Sequence, residues 1–286
     1  MNITKRPYRA LVDFQIIYQF MVEHYEIDRR NGTAAAAFEY DKCLFWTDHT
    51  KSHRSALWFN DDELIGVAWF DMKLGDALFN LKPGYEVIIP DMIHHAEDSL
   101  CREDGFVELN LYGTQTAIVE EAYRLGYKVN WQAMDYIYDY TLDTMNYKLP
   151  DGYRFKDLKA CDYKALGNSI YQGFDNEGDN PAGADGTLQV LASPYQTADL
   201  DVIIVTEEGE HACYAGMWYV PENQLAYLEP LSTVPAHRRK GLAQAAIAEL
   251  VRRTKALGAT HITGGTDPFY KNIGYNIEVP ILKMGK

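Results

Sequence analysis

Read for the spacing of apolar and polar positions, the chain shows one order of elements twice. A strand-like "RPYRAL" (6–11) precedes an amphipathic helix pattern, "DFQIIYQFMVEHY" (13–25). A second strand-like run, "YRFKDL" (153–158), precedes another, "DYKALGNSIYQGF" (162–174). Next, in each half, come apolar β-rich runs separated by an acidic turn: "NDDE" within Ser55 to Pro83, and "EEGE" within Leu200 to Pro230. Trp69 matches Trp218, and "ALFNLKP" matches "LAYLEP". Each half then gives a strand ending in proline ("VIIP", "STVP"), a helix, a further strand and a "GY" pair, Gly126-Tyr127 and Gly274-Tyr275. The repeated order predicts an internal duplication of one α/β unit. The pattern restarts near residue 145, just before a Pro-Asp-Gly turn at Pro150–Gly152, so the predicted domains are 1–145 and 146–286.

The two copies differ most at one turn. "TVPAHRRKGLA" (233–243) follows an apolar strand that Pro235 stops. From Gly241 the period becomes helical, with Leu242, Ala246, Leu250, Val251 and Leu257 on one face and Gly258 suited to the helix end. The first-turn N–H groups of a helix have no intrahelical partner, and that end carries positive dipole character. Gly241 allows close backbone approach, Ala243 keeps the surface small, and Arg238, Arg239 and Lys240 add charge. Three cations at a helix N-terminus oppose the dipole unless an anion binds there, which favours a pyrophosphate site over a solvated basic turn. With Pro90 aligned on Pro235, the first copy reads "PDMIHHAED": Ile93, Ala96 and Asp98 stand where the second has Arg238, Gly241 and Ala243. Neither a GxxxxGK[ST] loop nor a GxGxxG turn occurs, which sets aside nucleotide hydrolysis and dinucleotide binding.

Composition narrows the picture. The 286 residues are 47% hydrophobic, enough for two packed cores, and the net charge of −14 argues against nucleic-acid binding. No signal core opens the chain and no run reaches the length of a membrane span, so a soluble, cytoplasmic protein without membrane partners is expected. Cys43, Cys101, Cys161 and Cys213 stand apart as reduced thiols. His94-His95 with Cys101, and His49 with His53, lack the rest of a ligand set, so no metal is expected.

The segment Arg238-Arg239-Lys240-Gly241-Leu242-Ala243 resembles the R/Q-x-x-G-x-G/A signature of the GNAT superfamily of acyl-CoA-dependent N-acyltransferases. "FYKNIGY" (269–275) is similar to that family's later FYxxxGF element. The resemblance covers roughly 150–286 and reaches the first half only through the duplication. It implies an α/β fold of two GNAT-like domains in tandem, each a mixed, mostly antiparallel sheet flanked by helices, the first copy lacking the CoA motif. Acetyl-CoA would then be the co-substrate. Its pantetheine would run beside Ser232, Thr233 and Val234, and its pyrophosphate would sit at the turn formed by Arg238, Arg239, Lys240, Gly241, Leu242 and Ala243. A primary amine, small or peptidic, would attack the thioester directly. Tyr270 occupies the family's position for the acid that protonates the thiolate, and in the first copy that position is Ala122. "THITGGTDPFYKNIGY" leaves room for at most a very short helix before Tyr270, so CoA contacts from that side are not assigned.

Glu229, near the end of "LAYLEP", is the candidate base, with His237 and His211 weaker ones. Lys82 takes the Glu229 position in the first copy. The acidic loop carrying Asp175, Glu177 and Asp179 suits a cationic amine as well as it suits plain solvation. Three further expectations stand beside the enzyme. A non-catalytic CoA sensor or scaffold would bind CoA without turnover. The first copy could line the acceptor cleft. Monomer and homodimer both fit the sequence.

Overall fold

The structure is a computed structural model describing residues 1–286. Along the chain run β1 (Ile3–Pro7), α1 (Asp13–Glu23), α2 (Ala35–Cys43), β2 (Ala56–Asn60), β3 (Glu63–Phe70), β4 (Asp76–Leu81), α3 (Ile89–His95), β5 (Glu108–Tyr112), α4 (Thr116–Arg124) and β6 (Lys128–Asp139). The second repeat gives β7 (Tyr153–Lys156), α5 (Tyr163–Gly173), α6 (Gly183–Leu191), β8 (Val202–Thr206), β9 (His211–Val220), β10 (Leu225–Thr233), α7 (Leu242–Lys255), β11 (His261–Thr263), α8 (Pro268–Asn272) and β12 (Ile277–Gly285). It is an α/β fold, and the element order repeats as the sequence pattern predicts.

Two compact units emerge. The first comprises Met1–Lys42, Trp46–Asp135 and Glu278–Lys286; the second comprises Cys43–Phe45 and Tyr136–Ile277. The division thus falls near 135 rather than 145, and the last strand is counted with the first unit. The physical reason is strand pairing. β12 pairs antiparallel with β5, from Ile281 opposite Tyr112 to Met284 opposite Leu109. The end of β6 pairs antiparallel with β11, placing Tyr138 opposite Ile262. Tyr136, Tyr138, Tyr140 and Met145 are all buried in the core of the second unit.

In the first unit the strand order is β1-β2-β3-β4-β5-β12. "VIIP" is not a strand there. Glu86–Ile88 form a short 3-10 turn and α3 starts at Ile89, with Pro90 in its first turn, where the missing N–H costs nothing. In the second unit the order is β6-β11-β10-β9-β8-β7. Its central strands are apolar on both faces, as strands covered on both sides must be. Ile203, Val205 and Tyr214 pack with Leu166 of α5. Val202, Ile204, Cys213 and Ala215 pack in the cluster that holds Leu242, Ala246, Leu250 and Val251 of α7. Leu257, predicted on that helical face, lies beyond the end of α7 and is exposed, while Gly258 takes a positive φ of 100° just after it.

Candidate active site

The site of the second unit is built on β10. This strand pairs with β11 in parallel at Leu225 and Ala226 alone, while its antiparallel pairing with β9 continues to Thr233 opposite Cys213. The Leu228 N–H donates to the Thr263 hydroxyl at 2.9 Å, which closes the β11 side. Beyond Leu228 the two parallel strands part. The register with β9 shifts between Leu228 and Leu231, so Glu229 and Pro230, joined by a cis peptide bond, form a bulge opposite Gly216. Glycine is needed at 216, because a Cβ there would strike the Glu229 carbonyl oxygen. After the bulge, Val234 N–H donates to Ala212 O at 3.0 Å. Alternation along a strand then turns Leu231 and Thr233 toward the open edge.

At the end of β10, Pro235–His237 form a short 3-10 turn, and two left-handed residues follow: Arg239 at φ 62° and Gly241 at φ 82°, with Lys240 between them at negative φ. Such alternation converges successive N–H groups into an anion-binding concavity. The helix starts without a side-chain cap, its N-cap being Gly241, and the Ala245 N–H makes the first bond, to Gly241 O at 3.0 Å. The N–H groups of Arg239, Lys240, Gly241, Leu242, Ala243 and Gln244 therefore donate to no protein acceptor. Two other helices of the unit, α5 and α8, are capped by side chains. Asp162 accepts from Lys164 and Ala165 N–H at α5, and Asp267 from Phe269 N–H at α8.

The three cations of the turn are not equivalent. Arg239 is exposed and makes no side-chain hydrogen bond or ion pair. Lys240 Nζ donates to the Tyr153 hydroxyl at 3.0 Å, and that hydroxyl also meets His237 Nδ1 at 2.9 Å. His237 is buried, with Nε2 3.5 Å from Glu210 Oε1. Arg238 is held by the protein itself. Its Nε donates to Thr233 O at 3.1 Å, one Nη to Gly173 O at 2.9 Å, and the other lies 2.8 Å from Asp175 Oδ1.

Tyr270 lies within α8 itself, so the very short helix that the sequence allowed before it carries it instead. Its ring stacks edge-on against Tyr275, with centroids 5.1 Å apart, and presses on the backbone after β11. A Cβ on Gly264 would lie 2.7 Å from the Tyr270 ring, so glycine is what lets the ring lie there. Leu228 N–H to Thr263 and Tyr270 on Gly264 thus gather the bulge side and the tyrosine around the end of β11. His211 opens β9, opposite Val205, five positions from Gly216 and so about 16 Å along the strand from the bulge. Burial lowers its pKa, with Lys156 adding to the effect. Sequence reasoning missed Asp201, which is buried just before β8. Its carboxylate accepts from Tyr214 Oη at 2.6 Å, Met217 N–H at 2.9 Å and Gln196 Nε2 at 3.1 Å. Burial nevertheless pushes its pKa up to about 7. The only sequence signal was a lone Asp ahead of an apolar strand.

The first unit repeats the framework without the opening. β4 pairs β5 in parallel at Asp76 and Ala77, the counterpart of Leu225 and Ala226. Past that point the chain fills its own edge. Gln115 Nε2 donates to Phe79 O at 3.0 Å, and Leu81 N–H donates to Asn31 O at 3.0 Å. Gly32 approaches so closely that a Cβ would strike Phe79 O. No residue between Tyr85 and Asp104 has positive φ. Asp91, in the first turn of α3, accepts from Trp58 Nε1 at 2.7 Å and pairs with Lys5 at 2.8 Å. The His94-His95 pair is occupied by Glu97 and the Arg54 carbonyl. No group of three His, Cys, Asp or Glu side chains is placed to hold a metal ion, and no helix is long and apolar enough to cross a membrane.

Comparison with known proteins agrees with this geometry. Residues 175–275, all within the second unit, match the acetyltransferase (GNAT) family. Along essentially its whole length the chain superposes on a GCN5-related N-acetyltransferase from Sphaerobacter thermophilus. The TM-score is 0.62 at 14% identity, covering 100% of this chain and 95% of that one. A tandem GNAT protein from the clavulanic acid biosynthesis pathway gives 0.61 at 12% identity, covering 99% and 98%. An acetyltransferase of the GNAT family from Colwellia psychrerythraea gives 0.59 at 11%, covering 99% and 100%. No curated protein matches in sequence.

Proposed function

We propose that this chain, a GNAT protein of the tandem type, is an N-acetyltransferase with a single acyl-CoA site, in its second unit. The observation that carries the reading is the run of six N–H groups from Arg239 to Gln244 without a protein acceptor, set beside a strand edge that opens after Leu228. Acetyl-CoA as co-substrate supplies an activated acyl group on a thiolate leaving group. The N–H groups of the turn, with the Arg239 guanidinium, would hold its pyrophosphate. The edge of β10 at Leu231 and Thr233 would bind the amide-bearing arm as a neighbouring strand does, and an N–H after the bulge would polarise the thioester carbonyl. Glu229 would take the proton of the attacking amine, directly or through water, and Tyr270 would protonate the departing thiolate. The first unit does not bind acyl-CoA in this reading, since Gln115 and Asn31 occupy the corresponding strand edge and α3 replaces the turn.

Thiol release from acetyl-CoA, measured with polyamines, aminoglycosides, amino acids and N-terminal peptides in parallel, tests the proposal. Amine-dependent release that disappears in a Gly241→Val variant is the expected result. Acetyl-CoA binding without release on any amine would instead support a sensor.

A further inference from the structure

Arg238, the first residue of the signature, carries the most hydrogen bonds of the turn's three cations, and each of its three guanidinium nitrogens already meets a protein oxygen. Its planar guanidinium joins three separate pieces of chain: the last carbonyl of β10 (Thr233), the last carbonyl of α5 (Gly173) and the carboxylate of Asp175. A second observation places the same pieces together. The α-carbon of Gly173 lies so close to β10 that a Cβ would come 2.7 Å from Ser232 Cβ and 3.2 Å from Thr233 N. Asp175 itself is held in a left-handed conformation at φ 60°. The segment therefore borders the strand edge on one side and is tied to the turn on the other.

We propose that Arg238 is a positioning residue that clasps the segment Gly173–Asp175 to the turn, so that a phosphate-bearing ligand held by the turn is felt in that segment. The coupling rests on the acyl-CoA reading of the turn; the clasp itself does not. Lysine cannot replace arginine here, because one ammonium on a flexible stem cannot hold three divergent acceptors in one plane. Asp175 opens the acidic stretch that also holds Glu177 and Asp179, so the clasp fixes where that negative charge begins.

Amide hydrogen exchange reads the clasp directly, because Phe174 N–H and Asp175 N–H are bonded to Tyr171 O and Gln172 O at 3.2 and 3.0 Å. Without ligand, Arg238→Ala and Arg238→Lys should exchange these two amides about tenfold faster than wild type. Asp175→Asn, at an exposed site that tolerates the change, should fall between. With acetyl-CoA, the wild type should slow them further and Arg238→Ala should not, although it still binds acetyl-CoA within about threefold of wild type. Arg239→Ala should lose about tenfold or more in affinity while leaving the ligand-free exchange as it was. Unchanged exchange in Arg238→Ala overturns the clasp, as does a loss of affinity matching that of Arg239→Ala. No acetyl-CoA binding by the wild type would sink the enzyme reading and the coupling together, while the ligand-free comparison still decides the clasp.

Discussion

At the scale of single residues the turn separates roles that the sequence runs together. "HRRK" reads as one block of charge, yet Arg238 and Lys240 already have protein partners and Arg239 has none. Arg239 also holds a left-handed backbone, which costs an L-residue about 1–2 kcal/mol. Arg239→Gly should therefore leave thermal stability unchanged or slightly raised while weakening acetyl-CoA about tenfold. A calorimetric titration beside a melting curve checks both, and a variant that melts lower with full affinity would refute the assignment. For the chemistry, Tyr270→Phe should lower kcat by about 100-fold or more with little change in acetyl-CoA affinity, as expected for an acid acting on the leaving group. An unchanged kcat would remove Tyr270 from the mechanism. Gly241, Tyr270 and the cations were all legible as types at fixed spacing. What each cation touches was not, because Gly173 and Asp175 lie more than sixty residues earlier in the chain.

Elements show a second division between what pattern reveals and what pairing decides. The period of α7 and the β-rich runs were plain in the sequence. "VIIP" was misread because a buried apolar tetrad fits a helix start as well as a strand, and Pro90 in the first turn settles it for the helix. The Glu229–Pro230 bulge left no trace beyond the proline itself. Its support is visible only in three dimensions: Gly216 opposite, and Asp201 capping the Met217 N–H one residue on. Asp201 yields a pH prediction. Its carboxyl binds a proton more tightly folded (about 7) than unfolded, where an ordinary Asp sits near 4. The protonated form therefore favours the fold. That contribution is complete below about pH 4 and is lost as pH rises toward 7, with a slope of up to about 1.4 kcal/mol per pH unit. Asparagine mimics the protonated acid, so Asp201→Asn should flatten the stability profile over this range. Denaturant midpoints at several pH values measure it; parallel profiles for wild type and variant would contradict the burial argument.

For the whole molecule, duplication was readable from order alone, and the inequality of the copies from Ile93, Ala96 and Asp98. How the first copy fills its strand edge was not, since Asn31, Gly32 and Gln115 occupy no motif. Nor was the split at 135, because a turn such as Pro150–Gly152 marks a restart in pattern and says nothing of which strand pairs where. The consequence can be tested by cutting. A fragment of residues 146–286 discards Tyr136, Ile137, Tyr138 and Tyr140, all buried, and Met145 with them. It also keeps the 278–286 strand, whose Val279 and Met284 are buried in the first unit. Removing four large apolar side chains from a core costs about 2–5 kcal/mol each, together more than a typical domain's whole stability. The 146–286 fragment should therefore be insoluble or molten, with no cooperative melting transition. Residues 136–277 keep the β6 end against β11 and the core intact, and this fragment should melt cooperatively. A cooperative transition in 146–286 and none in 136–277 would show that the division lies at the turn after all.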